Sequence, residues 1–198
     1  RAGGNLRSVD EVLAQALRYR SYWGEKGGIT VSGGEALLQI RSLTELFRKA
    51  KALGINTCLD TSAQPFSRET TNFSAFEELM NYTDLILLDI KHIDSNAHKQ
   101  LTGWKNENIL DCARYLSDIK KPVWIRHVLV PGINDDDDSL HKLRKFLDSL
   151  GNIERVEVLP YHDLGVYKWE QLGLPYTLSE VKPPTEENIL HARKILTE

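Results

Sequence analysis

Cysteine is nearly absent: Cys58 and Cys112 are the only two thiols in 198 residues. Two isolated cysteines build no disulfide scaffold and match no metal-ligand spacing. A reducing, cytoplasmic setting is therefore expected, with both side chains acting as small buried hydrophobes. Long apolar runs are missing as well; none approaches the roughly 18 residues of a membrane span. Basic charge is not in excess, since the net charge is −3. That gives no footprint for nucleic acid or an anionic membrane. No GxGxxG is present, so a dinucleotide-binding fold loses its main support. Arg1-Ala2-Gly3-Gly4-Asn5 is not followed by the apolar segment of a signal peptide. Nor does the chain start with Met, so residue 1 is not expected to be the natural start.

What is present suits one soluble domain over residues 1–198, 41% hydrophobic and 27% charged. Apolar β-branched runs alternate with amphipathic stretches. Ser8 with Glu11 reads as a capping box opening the first helix. Strands are expected at Ile29–Val31, Thr57–Leu59, Leu85–Leu88, 123–130 and Val156–Leu159. Helices are expected at Leu37–Leu53, Phe73–Asn81, about 108–119, around 140–150, and after a cap at Thr185. The unbroken run Leu85-Ile86-Leu87-Leu88 reads as a strand buried on both faces. The stretch through Pro175, Pro183 and Pro184 reads as loop. Repeated βα units with short connections imply a parallel sheet, hence an α/β barrel or part of one. A leading helix with no strand before it implies a strand lost upstream.

Polar groups collect where the strands end: Ser32-Gly33-Gly34-Glu35, Asp60-Thr61-Ser62, Asp89-Ile90-Lys91, Arg126-His127 and Tyr161-His162. Positions 35, 60, 89, 126 and 162 recur at about one βα unit per step. They are expected to converge on the rim where barrel enzymes place their chemistry. Strand alternation turns His127 away from Arg126 and makes it structural. The acidic run Asp135–Asp138 reads as support for the N-terminus of the helix after it.

These residues also carry a resemblance. Ser32-Gly33-Gly34-Glu35 looks like the GGE motif of radical S-adenosylmethionine (SAM) proteins. It is followed in order by Thr57–Thr61, Leu88-Asp89-Ile90-Lys91, Val123–Arg126, Val130-Pro131-Gly132, the acidic run, Leu159-Pro160-Tyr161-His162 and Val181–Pro184. The series spans nearly the whole chain. It resembles the glycyl-radical-activating family of radical SAM enzymes, of the pyruvate formate-lyase-activating type. The resemblance implies a partial (β/α)6 TIM-like parallel barrel holding SAM and a [4Fe–4S] cluster. One electron from the cluster cleaves SAM, and a 5′-deoxyadenosyl radical removes hydrogen from a partner's glycine. It places Gly33, Gly34, Glu35, Asp60, Asp89, Ile90, Lys91, Arg126 and His162 at the cofactor. Asp60, Thr61 and Asp89 are implied ligands of a monovalent cation. The implied partners are pyruvate formate-lyase or a related glycyl-radical enzyme and a flavodoxin or ferredoxin electron donor, with the protein a cytoplasmic monomer.

One departure bears on activity. The family's CxxxCxxC cluster motif, expected upstream of the GGE segment, does not occur here. Three thiolates are needed to leave the fourth iron for SAM. The chain is therefore expected to be a fragment lacking the first strand and cluster loop, inactive on its own. Three readings compete: a barrel lyase with a Schiff base at Lys91, a hydrolase with a divalent metal at Asp60, Asp89 and His162, and a non-catalytic SAM-binding remnant.

Overall fold

The computed structural model describes residues 4–25, 27–70 and 72–198. Helix α1 (Val9–Leu17) begins at the expected capping box. The Ser8 hydroxyl accepts from the Glu11 amide at 3.2 Å, and the Glu11 carboxylate accepts from the Ser8 amide at 2.7 Å. Strand β1 (Gly28–Val31) leads into a 3₁₀ turn (Ala36–Gln39) and then α2 (Ile40–Ala52). The α-helix thus starts three residues later than the periodicity suggests, because the Glu35 carboxylate caps Leu37 in a tighter turn. Next come β2 (Asn56–Thr61), α3 (Phe73–Met80), β3 (Leu85–Asp89), α4 (Ser95–Thr102), α5 (Glu107–Asp118), β4 (Val123–Leu129) and α6 (Asp137–Asp148). The chain then forms β5 (Ile153–Pro160), α7 (Val166–Gln171) and α8 (Glu186–Thr197), the last capped by Thr185.

Two helices lack a signal in the apolar pattern. In α4 only His98 is buried, and the helix is fixed by Asp94, whose carboxylate accepts from the amides of Asn96 and Ala97. Helix α7 has six residues and lies between β5 and Pro175, where no helix is expected.

All five strands are parallel and run in chain order β1-β2-β3-β4-β5. The result is the expected α/β architecture of a partial barrel. Alternation gives the sheet two unlike faces. Leu59, Ile86, Leu88, Ile125 and Leu129 are fully buried, in one core with Phe47, Leu79, Ile109, Leu116, Leu140 and Leu143 of the helices. Burying each such side chain contributes about 1.5–3 kcal/mol. The inner face carries Cys58, Asp60, Leu87, Asp89, Trp124, Arg126 and Val128, all half-buried. Strand β3 is thus buried on one face rather than both, since Leu85 and Leu87 meet the open interior. Cys58 is likewise half-buried, whereas Cys112 is buried as expected.

His127 faces the helices, as alternation requires. Its Nδ1 donates to the Ile90 carbonyl at 2.8 Å, while Nε2 is buried without a partner. Burial lowers its pKa from 6.5, so the ring folds neutral. A histidine held neutral destabilises the fold as pH falls through 6.5, where the unfolded chain takes up the proton. His98 is shifted in the same direction, also by burial. Stability to denaturant is expected to drop between pH 7.5 and 5.5, and the slope to flatten in His127→Gln. An equal slope in the variant would locate the effect elsewhere.

The acidic run behaves as read: Asp136 caps α6 by accepting from the Ser139 amide at 2.9 Å, with Asp137 and Asp138 in its first turn. Among the described residues, no helix is long and apolar enough to cross a membrane.

Candidate active site

At the C-terminal end of the sheet, register sets Asp89 of β3 beside Arg126 of β4. Alternation puts Asp60 of β2 on the same inner face. Arg126 joins them: Nε donates to Asp89 Oδ1 at 2.9 Å, Nη2 lies 2.8 Å from the same oxygen, and Nη1 donates to Asp60 Oδ2 at 3.0 Å. A further contact links Nη2 to Asp60 Oδ1. Lys91 closes the group, its Nζ 3.1 Å from Asp89 Oδ2. The side chains of Asp60, Asp89 and Arg126 keep only 19–20% exposure. Burial alone works against the charge on Arg126, yet Asp89 and Asp60 outweigh it and raise the guanidinium pKa. Two cations and two carboxylates therefore stand together on one rim.

Gly33 and Gly34 form the turn after β1, with φ of 99° and 50°. A Cβ on either would meet nothing within 4 Å, so the glycines answer to left-handed backbone, not to crowding. Glu35 is turned elsewhere. Its carboxylate accepts from the Leu37 amide (3.1 Å), Thr61 Oγ1 (2.5 Å), the Ser62 amide (3.0 Å) and Ser62 Oγ (2.6 Å). It ties the glycine turn to the end of β2.

Three other expected site residues stand apart from the ionic group. Ile90 is fully buried on the helix side. Its amide donates to the Arg126 carbonyl and its own carbonyl accepts from His127. Its side chain cannot reach the rim, because strand alternation reverses it between Asp89 and Lys91. The Thr61 side chain is buried on the same outer side and bound to Glu35, apart from the carboxylates of Asp60 and Asp89. The positive charge between those carboxylates is the guanidinium. His162 follows β5 at the same end of the sheet and is exposed. It makes no hydrogen bond to the ionic group. Among the described residues there is no set of three or more His, Cys, Asp or Glu able to hold a metal ion.

A buried polar frame behind the rim escapes sequence reasoning. Asn134, His92 and Asn106 are at most 4% exposed. Asn106 Nδ2 donates to the carbonyls of His92 and Ile93, each at 2.9 Å. His92 Nδ1 accepts from the Asp94 amide at 3.0 Å, and its Nε2 contacts the Ile133 carbonyl at 3.2 Å.

The rim fits the methionine end of SAM, a zwitterion needing cations for its carboxylate and acceptors for its ammonium. The thiols do not fit a [4Fe–4S] cluster. Cys112 is buried in α5, and burial pushes its thiol far up; burial also raises that of Cys58. Two such groups on different elements cannot supply three thiolates.

The family model of the radical SAM superfamily matches residues 1–143. A pyruvate formate-lyase-activating enzyme of Streptococcus mutans is 52% identical over 190 residues, covering 96% of this chain and 72% of that protein. One from Staphylococcus aureus is 54% identical over 184 residues, covering 92% and 73%. Among solved structures, a domain of a pyruvate-formate lyase-activating enzyme from Bacteroides vulgatus superposes with a TM-score of 0.71 at 28% identity, covering 86% and 93%. Streptococcus suis SuiB bound to S-adenosylmethionine shares the fold, with a TM-score of 0.72 at 18% identity over 100% of this chain and 41% of its own.

Proposed function

The chain belongs to the radical SAM superfamily, in the family of pyruvate formate-lyase-activating enzymes, and from that premise we propose that its rim positions SAM for glycyl-radical generation on pyruvate formate-lyase. The cofactors are SAM and a [4Fe–4S] cluster, and the enzyme is an oxidoreductase. Together they would supply one-electron cleavage of SAM and removal of a hydrogen atom from a backbone glycine, the cluster needing three thiolates that Cys58 and Cys112 do not supply. The residues here bind and orient. Lys91 and Arg126 face the methionine carboxylate, while Asp60 and Asp89 accept from its ammonium. The turn at Gly33 and Gly34 brings backbone close to the same group, and His162 stands at the nucleoside side. Leu87, Val128 and Trp124 on the inner face limit water. Glu35 and Ile90 support this arrangement without touching the ligand.

The observation that carries the reading is Arg126 bridging Asp60 and Asp89, with Lys91 beside them, at the C-terminal end of a parallel sheet. The Schiff-base alternative is less well served, because Lys91 Nζ is engaged with Asp89 in the ionic group. The whole chain is read as one radical SAM domain of a cytoplasmic monomer, served by a flavodoxin or ferredoxin.

The test is anaerobic. Full-length protein that carries the three-cysteine cluster motif, reconstituted and mixed with SAM, a one-electron reductant and pyruvate formate-lyase, is expected to give a doublet in the electron paramagnetic resonance spectrum. The doublet should collapse when the partner's glycine carries deuterium at Cα. SAM cleavage with no protein radical would reject the assignment.

A further inference from the structure

The ladder between β3 and β4 does not simply stop at the rim. Asp89 pairs with Arg126, and the Ile90 amide donates to the Arg126 carbonyl at 3.0 Å. Beyond that point side chains take over. His127 Nδ1 meets the Ile90 carbonyl at 2.8 Å. Asn134 Nδ2 then donates to the Lys91 carbonyl at 2.7 Å and to the Val128 carbonyl at 2.9 Å. Its Oδ1 accepts from the Val130 amide at 2.7 Å. Asn134 is 1% exposed, and both its donors and its acceptor are in use. One amide thereby fixes the backbone of Lys91 against two residues of the β4 end.

We propose that Asn134 is the positioning residue for Lys91: it holds that backbone where the ammonium reaches both Asp89 and the ligand carboxylate. The chain of reasoning is short. Lys91 lies beyond the last residue of β3, so regular pairing no longer sets its place. The next residues are tied down by other groups, since Asn106 holds the His92 and Ile93 carbonyls and Ile93 packs on the core, but at Lys91 itself the backbone carbonyl is held by Asn134. A fully satisfied buried amide at this point supplies a rigid rung. Asn134 touches no reacting group; it acts through Lys91. The proposal rests on Lys91 contacting SAM.

The test is a double-mutant cycle in the full-length holoenzyme that carries the three-cysteine cluster motif, with SAM dissociation constants from equilibrium dialysis and thermal melts of each variant. Asn134→Asp keeps an acceptor for Val130 but loses both donors and sets a carboxylate against two carbonyls. It is expected to weaken SAM about tenfold with Lys91 present and less than about twofold in the Lys91→Ala background. The melting temperature should fall equally in both backgrounds. Equal weakening in both would make Asn134 merely structural and overturn the proposal, as would no weakening in either. If Lys91→Ala alone leaves affinity unchanged, the underlying reading of Lys91 fails first, and the proposal with it. Should Asn134→Asp not fold, Asn134→Ser retains one hydroxyl donor and completes the same cycle. Partial coupling to Lys91 is then expected, and none would overturn the proposal.

Discussion

Arg126→Gln is expected to cost about 2–3 kcal/mol of folding stability and to weaken SAM binding on the order of 10- to 100-fold. The stability figure sits low in the range for breaking a desolvated, hydrogen-bonded pair because each partner keeps about a fifth of its exposure. The loss has an identifiable source. Without the guanidinium, Asp60 and Asp89 face each other in the half-buried interior with no cation between them. Adding Asp60→Asn to Arg126→Gln should therefore restore part of the stability, whereas Asp60→Asn alone should destabilise. Arg126→Lys should fall between, since one ammonium cannot reproduce the forked contacts to two carboxylates. Denaturant unfolding of the four variants and SAM dialysis decide it. Asp60→Asn acting equally in both backgrounds would mean that the bridge carries no coupling.

The fold was legible because its units repeat. Each βα step announces itself by a β-branched run, a cap and an amphipathic stretch, and parallel order follows from the alternation. The rim was legible for the same reason: residues at the ends of successive parallel strands must lie at one end of the sheet. Alternation could also have removed Ile90 from the site, since Asp89 and Lys91 on one face put the residue between them on the other. What the pattern could not contain is side-chain direction across units. Nothing in the spacing says that one arginine spans two aspartates 37 and 66 positions earlier. Nor does anything say that Asn134, eight residues beyond Arg126, completes a strand ladder with its side chain. Helices α4 and α7 were illegible on other grounds. With only His98 buried in the first, and Tyr167 and Trp169 exposed in the second, neither has the apolar stripe that marks a helix in sequence.

Glu35 separates the motif from its physics. The resemblance puts this carboxylate at the cofactor, but the structure spends it on four donors that join the 3₁₀ turn to the end of β2. Glu35→Ala is expected to cost about 2–4 kcal/mol, because hydrogen bonds to a charged acceptor are among the stronger ones and partly buried donors are left unmet. Glu35→Gln, which keeps one carbonyl oxygen, should cost less, about 1–2 kcal/mol. SAM affinity should fall along with stability, since the same contacts register the turn of Gly33 and Gly34 against the strand end that carries Asp60. A direct ligand would behave differently, with affinity lost and stability kept. Denaturant unfolding, SAM dialysis and hydrogen exchange at the Ser62 amide distinguish the two. Faster exchange at Ser62 together with a lower unfolding midpoint is the expected result. Wild-type stability and Ser62 protection in a variant that no longer binds SAM would return Glu35 to the ligand.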